Sequence, residues 1–434
     1  MEKKSKKFLP TLIIFSLVGQ IAWVVENMYF NVFIYNMFGA SPDDISLMVS
    51  LSAVAATVTT LLIGALSDKL GKRKVFMVGG YILWGVSILA FAFVRKGIIG
   101  AIFPSVVSVS AVCITIAIVL DCVMTFFGSS ANDACFNAWL TDTTTEKNRG
   151  SAEGINAMMP LVAILVVFGG AMLIPIEQTK ENYWTVIFSV IGGAVIIIGI
   201  LGIFLIEEPK IQTEENQSYF KNIIYGFRPS VIKKSPMLYI YLLLFTVFGI
   251  SIQIFMPYLI IYYERGLEMA NYVFIMAPAI VLASIFTAVW GKAYDKLGFN
   301  KSIVPSVVLL ALGYVVLFAF RNAAMVLFGS LFMMCGYLSG MAVFGAVIRD
   351  NIPENKAGMF QGLRIVGQVL IPGVIGPFIG AKILSGAKQE LINGSLTFIP
   401  NKNIFMGALV VALILAAFLC ILFYFTKGRK NEKN

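Results

Sequence analysis

Apolar runs about as long as a bilayer is thick recur along the whole chain, separated by short polar turns. About twenty apolar residues are enough for a helix to cross the hydrocarbon core. Taking the runs between charged or turn-rich breaks gives about twelve spans, at 9–36, 44–66, 75–94, 107–140, 153–176, 184–206, 237–262, 271–293, 302–320, 324–348, 360–384 and 404–425. Spans one and four are longer than a bilayer requires, so they are expected to be tilted or broken. The pattern predicts an all-α polytopic membrane protein.

The polar punctuation repeats. Between spans two and three, Gly64–Lys74 reads GALSDKLGKRK; between spans eight and nine, Gly291–Lys301 reads GKAYDKLGFNK. Gly64/Gly291, Asp68/Asp295, Leu70/Leu297, Gly71/Gly298 and Lys74/Lys301 share one offset of 227 residues. A glycine at this point supplies the backbone freedom that a tight helix–helix turn needs. A second echo pairs DTTTEKNRGSAEGIN, from Asp142, with DNIPENKAGMFQGLR, from Asp350, at an offset of 208. The difference, 227 − 208 = 19 residues, places an insertion in or near the loop before span four. The chain therefore reads as an N-terminal six-helix bundle (1–206), a polar connection (207–236) and a C-terminal six-helix bundle (237–434). Two pseudo-symmetric halves are a transporter plan. Within the connection, Tyr219–Phe227 has the pattern of a short amphipathic helix, although a plain tether is the preferred reading.

Composition sharpens the class. Of 434 residues, 59% are hydrophobic and 13% charged, about half the charge of a soluble domain. The net charge of +10 is not spread evenly: roughly two dozen of the 33 basic residues fall at the N-terminus, in every second loop and in the tail. By the positive-inside rule both termini are expected in the cytoplasm. No basic face accompanies soluble structure, so a nucleic-acid partner is not expected. There is no histidine, which excludes a histidine proton relay, a histidine-ligated zinc or a Ser-His-Asp triad. Cys113, Cys122, Cys135, Cys335 and Cys420 lie in apolar segments without metal-ligand spacing and read as buried small hydrophobes. MEKKSKKFLP carries a basic region without a cleavage-site pattern, so the first helix reads as retained. The expected setting is a cell membrane of multi-pass type, a bacterial inner membrane, with the lipid bilayer as surroundings, no cofactor and a monomeric state.

GALSDKLGKRK resembles the loop between helices two and three of the major facilitator superfamily, through Gly64, Leu66, Ser67, Asp68, Lys69, Gly71, Lys72 and Arg73. The resemblance covers the whole chain, because the motif arrives with twelve spans, a central loop and a half-repeat. It implies the major facilitator fold: two six-helix bundles rocking about a cavity lined mainly by helices one, four, seven and ten. It also implies an inner latch, with Asp68 and Arg73 engaging near the start of span eleven; Gly64, Gly71, Asp295 and Arg364 join them as gating candidates. Within the superfamily the chain looks most like the cation-coupled sugar symporters, of sucrose-transporter and glycoside–pentoside–hexuronide type. The cues are an acid and a glutamine in span one, the NDACFNAWLTD run and the Glu207-Glu208-Pro209 exit from span six. Span two lacks the intramembrane arginine and acids of the glycoside group, which disfavours a sodium site of that type. The span-four arginine of drug–proton antiporters is also missing.

Charged groups inside spans cost about 2.5–3.5 kcal/mol on insertion scales, so each marks a candidate site. In span one Gln20, Trp23, Asn27 and Asn31 follow helical spacing, flanked by Glu26 and Phe30. The position equivalent to Glu26 in the second half is Gln253, so the acid is on one half only. A carboxylate buried here can bind and release a proton. Span four carries Asp121, Thr125, Ser129, Asn132, Asp133 and Asn137 at steps of three or four. Counting about 1.5 Å per residue from Asp142 sets Asp133 near mid-membrane and Asp121 near the outer face, as an outer-gate or interfacial residue. Glu26 and Asp133 are thus the cation-coupling candidates. Sugars are held by amide and carboxylate hydrogen bonds and a flat aromatic face. Gln20, Trp23, Asn27, Tyr29, Asn132, Gln253 and Tyr258 supply these groups, with Pro257 bending span seven between the last two. Arg364 and Gln368 share a face of span eleven, where Arg364 reads as a gate or charge partner. Trp139, Trp184 and Trp290 sit near span ends and read as belt anchors.

The sequence reading is a secondary active transporter that moves a small polar solute, a sugar or glycoside, together with H⁺, Na⁺ being second. An efflux carrier for drugs or metabolites is the alternative within the class. A non-transporting membrane sensor or scaffold is the alternative outside it. No nucleophile motif supports an enzyme.

Overall fold

The computed structural model describes residues 7–144, 146–209, 225–269, 271–352, 357–392 and 395–431. It is almost entirely helical; a two-stranded hairpin, β1 (Gln389–Ile392) with β2 (Ser395–Phe398), is the exception among these residues. Eleven helices among the described residues are long and apolar enough to cross a membrane. One of them, Val273–Ala319, joins two spans of the sequence reading across Gly298, whose φ of 70° and ψ of 178° are not helical. Dividing it there gives twelve spans. In order they are Phe8–Phe38, Pro42–Leu70, Lys74–Phe93, Val109–Thr143, Gly154–Met172, Glu181–Leu205, Pro236–Gly266, 273–297, 299–319, Ala323–Asn351, Gly362–Leu384 and Asn403–Phe425.

The repeat is written into the backbone. The positive-φ glycines of the described residues are Gly39, Gly71 (φ 62°) and Gly298 (φ 70°). Gly71 and Gly298 are the pair related by 227 residues, each in the left-handed region that L side chains avoid. Gly71 closes span two by donating its N–H to Asp68, a glycine C-cap. Span two begins with Pro42 behind a capping box: Ser41 Oγ accepts from the Asp44 N–H at 3.1 Å and Asp44 Oδ2 accepts from the Ser41 N–H at 2.8 Å. Residues 94–108, between spans three and four, hold an extra helix, Lys96–Ile102; the matching connection in the second half is only 320–322. The insertion inferred from the two offsets lies there.

Two compact units emerge, Met1–Tyr219 with Glu390–Thr397, and Phe220–Gln389 with Phe398–Asn434. In the first, span three lies against spans four and six, span one against five and six, and span two against four. Spans three and six touch through Gly85 and Gly192, where a Cβ on either would fall 2.6–2.8 Å from the facing carbonyl. In the second, span seven packs on spans ten, eleven and twelve. Spans nine and ten meet at Gly313 and Gly336; a Cβ on Gly336 would sit 2.3 Å from the Leu310 backbone nitrogen and 2.6 Å from the Ser306 carbonyl. Backbone cannot yield as a side chain can. Gly336→Val is expected to cost about 3 kcal/mol by overpacking, read as loss of monodisperse protein after mild heating in detergent. Gly345→Val, with open space around its Cβ position, serves as the neutral control.

Several expectations change. Trp139 and Trp184 are 2% and 1% exposed, so they are not belt anchors. Their indole N–H groups donate to the carbonyls of Glu207 and Gln178, bracing the bundle from within. Trp290 is half-buried and donates to the Ser302 carbonyl. Nearness to a span end fixes depth in the bilayer but not which way a ring faces. Cys420 is exposed and Cys122 half-buried, whereas Cys113, Cys135 and Cys335 are buried as expected. Most of the amphipathic stretch Tyr219–Phe227 lies outside the described residues; Tyr225–Phe227 is a single 3₁₀ turn.

Candidate functional site

Four spans depart from regular α-helix, and they carry the polar candidates. Span one widens into a π-type turn over Val25–Phe30, span four over Ser129–Phe136, span seven over Tyr262–Gly266 and span eleven over Val366–Leu370. These turns contain Glu26, Asn132 with Asp133, Glu264, and Gln368 respectively. An i→i+5 turn strains the helix and occurs mostly where side chains must be re-aimed for function. Span seven also breaks where Pro257 foretold: the α-helix ends at Gln253 and resumes at Leu259 after a 3₁₀ turn.

In the first unit, Glu26 is 7% exposed. Its Oε1 accepts hydrogen bonds from Ser52 Oγ of span two and Thr125 Oγ1 of span four, each at 2.8 Å. Its Oε2 is buried without a partner among the described residues. Asp121 neighbours it: the carboxylate is 2% exposed and lies close enough to act on Glu26. The interfacial alternative read for Asp121 is therefore not what the structure shows. Asp133 is half-buried and accepts from Ser129 Oγ at 2.9 Å. It reaches Glu26 electrostatically, less strongly than Asp121 does. Spans one and four contain no lysine or arginine, and span two has only Lys69 in its last turn. Among the described residues, the carboxylates have no basic side chain beside them.

The remaining candidates sort by burial. Gln20 and Trp23 are half-buried and Asn27 is exposed, its amide donating to the Trp23 carbonyl at 2.8 Å. Trp23 packs on Trp84, with ring centroids 4.9 Å apart, over Gly128. Asn132 is a tie between spans: its amide donates to the Tyr81 hydroxyl at 2.7 Å, which donates to the Phe15 carbonyl at 2.8 Å. Gly19 makes room, since a Cβ there would strike the Asn132 amide. Tyr29 and Tyr258, read from the sequence as sugar-stacking faces, are instead core residues. Tyr29 is fully buried against Phe168, and Tyr258 is fully buried, edge-on to Phe398, donating to the Pro377 carbonyl at 3.3 Å. Gln253 is half-buried at the break, where Gly376 of span eleven lets the backbones approach closely.

The gating candidates build a network at the Gly71 end of the first unit. Arg73 is 3% exposed. It pairs with Asp68, donates from Nε to Asp142 Oδ2 at 3.0 Å and from Nη1 to Ser67 Oγ. Its own backbone N–H, like that of Lys74, donates to the Glu208 carboxylate. Burial works against the guanidinium charge, yet Asp68 and then Asp142 outweigh it and hold the group above its ordinary value. Asp142 and Glu208 were not singled out as partners, although the first belongs to a repeated motif and the second to the acidic exit of span six. Gly64 is half-buried beside Ala134, with its carbonyl capped by Ser67. In the second unit the arginine position is Asn300, Asp295 is exposed, and Tyr294 donates to Asp350 at 2.6 Å. Arg364 is half-buried and donates to Gln368 Oε1 at 3.2 Å.

Comparison with known proteins follows the fold. The family model described as the Major Facilitator Superfamily matches residues 12–377. No curated protein sequence matches significantly. Among solved structures, a mutant of the nucleoside transporter NupG is 12% identical, with 95% of this chain and 99% of that chain covered and a TM-score of 0.72. The xylose transporter XylE from E. coli, in a partially occluded inward-open conformation, is 13% identical over 95% and 97% at 0.71. A bacterial homologue of the human lysosomal transporter Spinster, inward-facing and unoccupied, is 15% identical over 96% and 97% at 0.70. At these identities the structures speak for the fold.

Proposed function

The chain belongs to the Major Facilitator Superfamily, and from that premise we infer that it is a proton-coupled symporter of a sugar or glycoside. It is a multi-pass membrane transporter and not an enzyme; the solute class, the ion and the direction are the reading offered here. The observation that carries it is Glu26: a buried carboxylate, hydrogen-bonded by two hydroxyls and without a basic neighbour among the described residues, in the same span as the accessible Gln20, Trp23 and Asn27. An unpaired anion in an apolar bundle is costly. A proton on Glu26, with Asp133 as the second carboxylate, removes that cost and lets the carrier close around a neutral solute. Gln253, the neutral counterpart of Glu26 in the second half, adds an amide for hydroxyl recognition. Such a carrier works by alternating access of its two repeats. A sugar ring presents hydroxyls to the amides and an apolar face to Trp23.

The test is uptake into proteoliposomes of the purified full-length protein, using a panel of sugars, glycosides and nucleosides. Accumulation of a sugar or glycoside under an inward proton gradient, abolished by a protonophore, is the expected result. Accumulation driven only by Na⁺, or extrusion of amphipathic drugs with no sugar uptake, overturns it.

A further inference from the structure

Three of the five tryptophans are held by hydrogen bonds: Trp139 donates to the Glu207 carbonyl, Trp184 to that of Gln178 and Trp290 to that of Ser302. The other two, Trp23 and Trp84, are held differently. Their indole N–H groups are buried without a partner among the described residues, although buried donors are as a rule paired. Packing, not hydrogen bonding, therefore orients these two rings. They pack on each other, with centroids 4.9 Å apart and planes inclined at 48°.

The floor under both rings is Gly128, the last residue of regular α-helix in span four before its π-type turn. A Cβ on Gly128 would lie 2.7 Å from Trp84 Cε2, 2.9 Å from Trp84 Cζ2 and 3.0 Å from Trp23 Cη2. Carbons in contact sit about 3.5–4.0 Å apart, so a methyl group here must displace something by about 1 Å. Trp84 has nowhere to go. It is fully buried against Tyr81, whose ring stands edge-on at 5.6 Å and whose hydroxyl is tied to the Phe15 carbonyl and the Asn132 amide. Its helix is pinned as well, because the Gly192 carbonyl of span six lies 2.6 Å from the Cβ position of the neighbouring Gly85. Spans three and four are closed one turn away, where a Cβ on Gly80 would be 2.6 Å from Ala131 Cβ. Trp23 is the ring with room. It is half-buried, on the face of span one where Gln20 is half-buried and Asn27 exposed.

With Trp23 taken as the solute-facing ring of the reading above, we propose that Gly128 and Trp84 are positioning residues: they set the tilt of Trp23, and thereby the bulk of the sugar or glycoside that the first unit accepts. A methyl group at 128 drives Trp23 outwards and narrows the space over Gln20 and Asn27. A smaller ring at 84 lets Trp23 settle back and widens it. Made together, the two changes offset each other, because the fused ring that the methyl would strike is gone.

The experiment has two arms, both on the full-length protein. In detergent without solute, circular dichroism reads the pair directly, since two indoles this close couple their ultraviolet transitions into paired bands of opposite sign. The other tryptophans pack on phenylalanines: Trp139 on Phe8 and Phe136, Trp184 on Phe33 and Phe188, Trp290 on Phe286. The couplet is expected in the wild type, absent in Trp84→Phe and altered in amplitude in Gly128→Ala. In proteoliposomes, KM is measured for a monosaccharide and for a glycoside of the same sugar with a bulky aglycone. Gly128→Ala should raise the glycoside-to-monosaccharide KM ratio by about tenfold, the scale of one methylene in a binding pocket. Trp84→Phe should lower the ratio, and the double variant should return it close to the wild-type value. A protein destabilised in general would lose both sugars alike and would gain nothing from Trp84→Phe. A Gly128→Ala couplet that superimposes on the wild type, a KM ratio that neither single variant moves, or a double variant no closer to wild type than Gly128→Ala overturns the proposal. Should Gly128→Ala fail to fold, Trp84→Phe decides by the direction of its KM ratio. If none of these proteins takes up a sugar, the solute reading fails and this proposal falls with it; if sugars enter and the ratio stays put, this proposal fails alone.

Discussion

Glu26→Gln is expected to abolish uphill accumulation while solute exchange across the membrane persists. One pH unit is worth about 1.4 kcal/mol per proton, a factor of ten in concentration. A one-to-one symporter under a one-unit inward gradient therefore accumulates solute up to about tenfold, and the variant should settle at a ratio of about one. The amide keeps the shape of the carboxyl and can still meet Ser52 and Thr125, which lie 2.8 Å from Glu26 Oε1. What it removes is the ability to alternate between charged and neutral. A carrier locked neutral at this point pays no penalty for moving without a proton, so it equilibrates solute rather than concentrating it. The assay is paired: net uptake with a proton gradient, then counterflow of labelled solute without one. Undiminished accumulation by Glu26→Gln would remove Glu26 from coupling, and loss of both activities would mark it as a binding residue instead.

The architecture was legible because its signal is long and redundant. A span is a run of about twenty apolar residues, and the turn that closes it recurs, so Gly71 and Gly298 could be paired before their backbone angles were known. The same redundancy exposed the insertion that became Lys96–Ile102. The site was legible only in part. Glu26 stands out in any reading, as an acid in an apolar helix. Its partners Ser52 and Thr125 do not, because a small hydroxyl residue in a membrane helix most often bonds its own preceding turn. Asp121 could be read as interfacial because counting helical rise gives depth and says nothing about which neighbour a side chain faces. The π-type turns that re-aim Glu26 and Asp133 leave no mark in composition or periodicity, since one added residue in the ladder changes the register but not the apolar content. Tyr29 and Tyr258 failed for the opposite reason: a tyrosine beside a polar stripe carries the right chemistry, but both rings turned into the core, where Phe168 and Phe398 meet them.

Arg73→Ala is the second large effect, and it falls on stability and movement together. The guanidinium is 3% exposed and serves Asp68, Asp142 and the Ser67 hydroxyl from one planar fork. Removing it leaves Asp142 without its cation and Ser67 without its donor, while the backbone contacts of Glu208 to residues 73 and 74 lose their anchor. Breaking a buried pair typically costs about 3–5 kcal/mol. Asp68 remains largely exposed, its side chain at 65%, so water screens part of the loss, and about 2–3 kcal/mol is expected. Arg73→Lys should recover little, because an ammonium cannot donate in the plane that these three acceptors define. The pH dependence also follows from sign. A cation held above its ordinary value in the folded state contributes stability that is lost only as pH rises through that folded value, and an arginine's ordinary value already lies far above neutral. The network should therefore be indifferent to Arg73 titration between about pH 5 and 9. Thermal unfolding of Arg73→Ala, Asp142→Asn and the double variant across that range provides the check. A coupling of about 1 kcal/mol or more between the two sites, constant with pH, is expected. Additive losses would show that Arg73 and Asp142 merely lie near each other, and that the end of span four is held to the turn between spans two and three by something else.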